Sequence, residues 1–267
     1  MPQTPSFFTR GDDPGSFSPT EFALGKWAPD SLNGPAVCAL AADQLEKEFG
    51  SPDFTPARLT IDLFKSAKRV PTTTTTRLVR SGRRIVVAEI EIVQGGVAVA
   101  RAGVVFLRKS APPPGSEWDG SPTLAHPPSA MSDHRLRHPW IQTDDTEWTQ
   151  NIGDHQNTSR KRVWGTGVAV LPDEPPSPLV RATQSAETTS LVTNLGTEGI
   201  GYINCDLTLA LARLPEGPQL GLEADSHITA DGIAVGTATL YDRNGPYGTG
   251  IVTAVSNAAA QIDFAAL

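Results

Sequence analysis

Cysteine is scarce in this chain. The only two among 267 residues, Cys38 and Cys205, leave no room for a disulfide framework or a cysteine-rich metal site. Both fall in segments of apolar periodicity, the setting of a buried, reduced thiol. Histidines are few as well: His126, His134, His138, His155 and His227 fall mostly in one proline-rich stretch with no ligand spacing, so no metal is expected. An excess of basic residues is missing too. Against 29 Asp and Glu stand 22 Lys and Arg, a formal charge of -7, which argues against a nucleic-acid partner. The one basic triplet, Arg160-Lys161-Arg162, reads as a solvated strand end. No apolar run approaches the roughly 20 residues needed to cross a bilayer. Met1-Pro2-Gln3-Thr4-Pro5 lacks the charged-then-apolar pattern of a secretory leader, so the chain reads as soluble and cytoplasmic, with no membrane partner.

What is present is enough apolar material, 39% of residues, to build two cores of ordinary size. Three segments follow from composition: 1–110, a linker over 111–160, and 161–267. The linker is marked by Ala111-Pro112-Pro113-Pro114-Gly115, His126-Pro127-Pro128 and His138-Pro139, since proline at this density breaks helices and sheet interiors. Trp118, Trp140 and Trp148 within it suggest a segment laid against the domains.

On each side of the linker the same order of elements recurs. Asp30-Ser31-Leu32-Asn33-Gly34-Pro35 opens a helix running to about Phe49, and Pro176-Ser177-Pro178-Leu179 opens a second running to about Leu195. Strands are expected over 58–67, 73–80, 84–93 and 98–109, then over 201–212, 219–225, 233–241 and 249–257. Gln94-Gly95-Gly96 and Arg243-Asn244-Gly245 suit hairpin turns. The duplication is visible in the residues: Asp62 to Pro71 aligns without a gap on Asp206 to Pro215, with Asp, Leu, Arg and Pro coinciding. Two helices, each followed by at least four antiparallel strands, make a duplicated α+β unit.

Asn33-Gly34-Pro35 before a small-residue helix, then Leu59 to Phe64 and Arg80-Ser81-Gly82-Arg83-Arg84, resemble the thioesterase-like proteins related to acyl-CoA thioesterase II. Cys205-Asp206-Leu207-Thr208 and Leu240-Tyr241-Asp242 extend the resemblance into the second half. It implies a tandem (double) hotdog fold, two long helices each wrapped by an antiparallel sheet, and hydrolysis of a fatty acyl-CoA to free acid and CoA. Coenzyme A then enters as part of the substrate, with no separate cofactor, and a homodimer is a reasonable expectation. In such proteins a strand Asp, a Thr or Ser, and a Gln activate a water. The Asp falls at Asp206, the hydroxyl position at Asp225-Ser226, and the Gln near Thr253, where this chain has a hydroxyl in place of an amide.

Thioester hydrolysis needs a base for the water and donors for the oxyanion. A carboxylate and the free amides of a helix N-terminus are suitable groups, which nominates Asp206 and, for substrate binding, Asn33 and Gly34. On its strand Asp206 shares a polar face with Asn204 and Thr208, opposite Ile203, Cys205, Leu207, Leu209 and Leu211. It could instead pair with Arg213 in a purely structural role, and its repeat partner Asp62 is a rival base. Asp225-Ser226-His227 is a weak Ser-His pair, because neighbours on a strand point to opposite faces. Thr72 to Thr76 suits a strand, with alternate side chains able to line a substrate channel. Arg83, Arg84 and Lys109 are candidates for CoA phosphates. Two other functions stay open: a non-catalytic acyl-CoA binding protein, or a hotdog hydratase or dehydratase. Neither expected helix carries the His that the latter would need.

Overall fold

Asn33 starts the first helix as its context requires: its Oδ1 accepts from the Ala36 N–H at 2.8 Å, and Pro35 occupies the first turn. Helix α1 (Gly34–Phe49) buries Ala36 through Ala42 and Leu45, so its first half is apolar all round, as a helix segment enclosed by other elements must be, while Asp43, Gln44, Glu46, Lys47 and Glu48 make its second half amphipathic. The computed structural model describes residues 5–13, 15–118, 120, 124–128 and 139–266; His134 and His138 lie outside them. Before α1 come the short strands β1 (Phe8–Arg10) and β2 (Ser16–Pro19). After it come β3 (Phe54–Leu63), β4 (Thr72–Ser81), β5 (Ile85–Gln94) and β6 (Val97–Arg108). Gly95 and Gly96, at φ of 55° and 79°, close the β5–β6 hairpin, a geometry that costs glycine nothing.

The segment 111–160 contributes β7 (Trp140–Thr143), which pairs with β8 (Lys161–Thr166). Trp148 is buried with Trp164 and Tyr241 and Trp140 packs against them, as expected of a segment laid on the domains. Trp118 departs from that expectation, at 91% exposed. The basic triplet is not a solvated strand end either. Lys161 is 3% exposed and donates to the carbonyls of Asn157 and Ser159, while Arg162 joins Glu223 and Asp144.

The second half opens with α2 (Pro178–Glu187), whose N-cap Ser177 accepts from the Val180 N–H at 3.1 Å. Here the expectation of two long helices holds only in part: α1 is one, but the second helix breaks at Thr188 and resumes as α3 (Thr189–Asn194). The Thr188 N–H is drawn to both Gln184 O and Ser185 O, and its hydroxyl bonds back to Gln184 O, the local competition by which Thr ends helices. Then follow β9 (Leu195–Gly196), β10 (Gly199–Ile200), β11 (Tyr202–Asn204), β12 (Asp206–Leu211), β13 (Gln219–Ala230), β14 (Ile233–Asp242) and β15 (Gly245–Ser256).

Except for the small β9–β10 pair, these strands form one antiparallel sheet in the order β1-β2-β4-β5-β6-β3-β12-β15-β14-β13-β8-β7, with β11 also on β15. The order is palindromic about the β3–β12 seam, where Asp62 lies directly opposite Asp206. These two residues also correspond in the sequence repeat, so the internal two-fold axis passes between them. One apolar core runs through both halves, and α1 packs on α2 inside the sheet. Arg213, offered as a partner for Asp206, instead makes a bidentate pair with the fully buried Asp242 at 2.6 and 2.8 Å.

Candidate active site

The expected single strand over 201–212 is interrupted. Asn204 pairs with Ala254 and Thr208 with Ile251, so three residues face two across the ladder, which is a β-bulge. Within it the Cys205 N–H donates to Thr253 O at 2.9 Å and Asp206 Oδ1 accepts from the Thr253 N–H at 2.6 Å. The bulge changes which way the side chains point. Cys205, expected in the core, is exposed, with its sulfur 3.2 Å from Thr253 Oγ1, whereas Cys38 is buried. Asn204, expected on the same face as Asp206, instead donates from Nδ2 to Glu187 Oε1 at 3.3 Å.

The structure therefore gathers the nominated residues into three groups. Asp206 and Thr253 form the first, on the strand face opposite the buried Leu207, Leu209 and Leu211. In the second, Asp225 accepts from the Thr239 hydroxyl at 2.9 and 3.0 Å and Ser226 Oγ lies 2.8 Å from Thr237 Oγ1. His227 turns from both, with its Nε2 3.1 Å from Asn194 Oδ1, so no Ser-His pair forms. Asn33 and Gly34 form the third. Among the described residues no hydrogen bond joins Asp206 to this helix terminus; strand alternation aims its carboxylate away from the helices. Of the phosphate candidates, Lys109 donates to Pro52 O, and Arg83 and Arg84 lie between β4 and β5. Thr72 is buried and bonded by Gln94, and Thr76 donates to Glu48.

The acid beside Gly34 is Glu187, in the last turn of α2. A Cβ on residue 34 would overlap its Oε1, so glycine is what permits this approach. Among the described residues no acceptor takes the Gly34 N–H, and as a first-turn amide it has no partner within the helix. Burial pushes the Glu187 carboxyl up to about 8, with the Asn204 hydrogen bond acting in the opposite direction. The same burial, helped by Glu187, raises the Cys38 thiol. At the other helix terminus the relation is closed: the Ser177 hydroxyl donates to Glu46 Oε2 and proline follows at residue 178. The two termini are therefore unequal.

A cavity of about 330 Å³ follows one side of α2. Arg181, Gln184, Ser185 and Thr188 line it on the helix, Leu220 and Leu222 on the sheet, and it reaches the first turn of α1 at Asn33 and Pro35. Sequence reasoning did not find Glu187 or Arg181. The signal available was the repeat itself: the shift that carries Asp62 onto Asp206 also carries the N-cap Asn33 onto Ser177 and Asp43 onto Glu187, marking an acid at one position of both helices. Among the described residues no group of three or more His, Cys, Asp or Glu could hold a metal, and no helix is long and apolar enough to cross a membrane.

Solved structures share this architecture. A conserved protein with a hot dog fold from Alicyclobacillus acidocaldarius matches with a TM-score of 0.66 at 15% identity, covering 92% of this chain and 94% of that one. A tesB protein from Mycobacterium avium subspecies paratuberculosis matches at 0.64 and 16% identity, covering 93% and 95%. An acyl-CoA thioesterase II from Mycobacterium marinum matches at 0.63 and 16%, covering 93% and 94%. These likenesses place the chain in the hotdog class. No curated protein sequence matches it. Family models identify an acyl-CoA thioesterase N-terminal domain over residues 24–107 and an acyl-CoA thioesterase C-terminal domain over residues 109–251. The chain belongs to the acyl-CoA thioesterase family.

Proposed function

We propose that this chain hydrolyses an acyl-CoA thioester to the free acid and CoA at the N-terminus of α1, with Glu187 as general base. The observation that carries this reading is the Gly34 amide, without an acceptor among the described residues, beside a buried carboxyl, with a cavity that reaches the neighbouring Asn33, Pro35 and Thr188. Water attacks the thioester carbonyl carbon while ionised Glu187 takes its proton. Negative charge develops on the carbonyl oxygen, where the Gly34 N–H and the positive end of α1 stabilise it. Collapse of the tetrahedral adduct breaks the C–S bond, and the departing CoA sulfur takes the proton back from Glu187. Asn204 holds the carboxyl in place through its 3.3 Å hydrogen bond.

A second assignment makes Asp206 the base, as the family resemblance implies. It is favoured by the uncommitted Oδ2, since only Oδ1 is engaged by Thr253. Steady-state CoA release by Glu187→Gln and Asp206→Asn separates the two. With Glu187 as base, Glu187→Gln loses about 10²- to 10⁴-fold in kcat, the usual contribution of general base catalysis, and Asp206→Asn loses less than a tenth of that. The reverse order transfers the role to Asp206. Binding of acyl-CoA by wild type without any CoA release would make the chain a binding protein.

A further inference from the structure

Arg181 is a half-buried cation in the cavity wall that the chemistry above leaves unused. Other guanidiniums taken out of solvent have carboxylates: Arg162 has Asp144 and Glu223, and Arg213 has Asp242. Arg181 has no ion pair among the described residues. Its Nη1 donates to Pro176 O at 3.2 Å, and its Nε is buried without a partner. Burial depresses its basicity, opposed by the electrostatic pull of Tyr247. The side chain sits near the N-terminus of α2, whose own first turn holds no acid, while Glu46 of α1 accepts from the cap residue Ser177. A charge partly withdrawn from water without a carboxylate beside it is stabilised when an anion joins it.

We propose that the cavity receives an acyl group ending in a carboxylate, held by Arg181, so that the preferred substrates are ω-carboxyacyl-CoA thioesters. This rests on the hydrolytic site at Gly34 and names its substrate class. Arg181 lies six residues before Glu187 on α2, or about 9 Å along the axis at the helical rise. The cavity runs from Arg181 to Thr188, the residue after Glu187, and to Asn33 and Pro35 on either side of Gly34. Its volume of about 330 Å³ holds on the order of ten water-sized groups, which suits a medium-length diacid and is too small for the whole of coenzyme A. Apolar walls from Phe7, Val163, Leu220 and Leu222 fit the methylene chain between the two ends.

The same anionic chemistry could come from a CoA phosphate, and the test separates the two sources. CoA release is measured from suberoyl-CoA and octanoyl-CoA, which share eight carbons and the same CoA, for wild type, Arg181→Met and Arg181→Lys. Wild type is expected to favour suberoyl-CoA in kcat/KM by about 10- to 100-fold, as a charge-assisted hydrogen bond implies. In Arg181→Met that ratio falls toward one, and Arg181→Lys restores part of it. A wild-type preference for octanoyl-CoA overturns the proposal. So does an equal loss on both substrates in Arg181→Met, which would assign the guanidinium to CoA. Free suberate gives a readout independent of turnover: it should raise the Tm of wild type and not of Arg181→Met. If that shift occurs while no thioester is cleaved, the diacid site stands and the hydrolytic reading fails. If it is absent in wild type, the diacid site fails.

Discussion

Replacing Glu187 by Gln removes one titrating group from the interior while keeping its shape and an oxygen for Asn204. In the folded protein burial raises this carboxyl from 4.5 to about 8, whereas in the unfolded chain it ionises near 4.5. Between those values the folded state holds a proton that the unfolded state has released. Stability therefore falls as pH rises through that window and levels off above it. At 1.4 kcal/mol per pH unit, the whole contribution is on the order of 5 kcal/mol. Gln carries no such dependence, so the advantage of Glu187→Gln over wild type should be small near pH 5 and reach several kcal/mol by pH 9. Urea unfolding of both proteins at one-unit intervals measures it directly. Parallel stability curves across this range would mean that the carboxyl is solvated or already ionised, and the geometry beside Gly34 would lose its chemical meaning. A variant that gains stability while losing turnover is what an acid held for function should produce.

Two further outcomes follow from the same site. Because the base must be ionised, kcat/KM should rise tenfold per pH unit on the acid side and bend near 8; a profile flat from pH 6 to 9 would remove Glu187 as base. Gly34→Ala forces the Glu187 carboxyl aside, and kcat/KM should fall by about 10²-fold, the scale for a misplacement of 1 Å. Helix propensity favours Ala by about 0.5–1 kcal/mol, so Tm should change little; unimpaired turnover would show that the close approach has no catalytic part.

Much of the fold was legible because it rests on period and on chemistry local to the chain. Alternation located the long strands to within a few residues, and the Asn33 and Ser177 caps announced themselves by residue type. The match of Asp62 to Pro71 with Asp206 to Pro215 foretold the two strands that meet at the seam. What escaped was decided by tertiary contacts. The break at Thr188 depends on a threonine hydroxyl competing for Gln184 O, and nothing in the apolar period marks it. One extra residue at Cys205 reverses the faces on either side of it, so a strict two-residue alternation places Asn204 and Cys205 wrongly. Glu187 was hidden for a related reason: on the helix it is one polar residue among several, and apart from its register with Asp43 in the repeat, it is the approach of Gly34 from the other repeat that sets it apart.

The palindrome about the β3–β12 seam has a consequence for how such a site can change. In a symmetric pair of identical single repeats, every substitution is made twice, and both helix termini must remain alike. Here the two copies share one polypeptide, so a residue can change on one side alone. Ser177 with Glu46 has sealed one terminus, and Gly34 with Glu187 keeps the other open. With both copies on one chain, two equivalent positions can take different parts: in the reaction proposed above one carries the chemistry, and the other can be given over to stability.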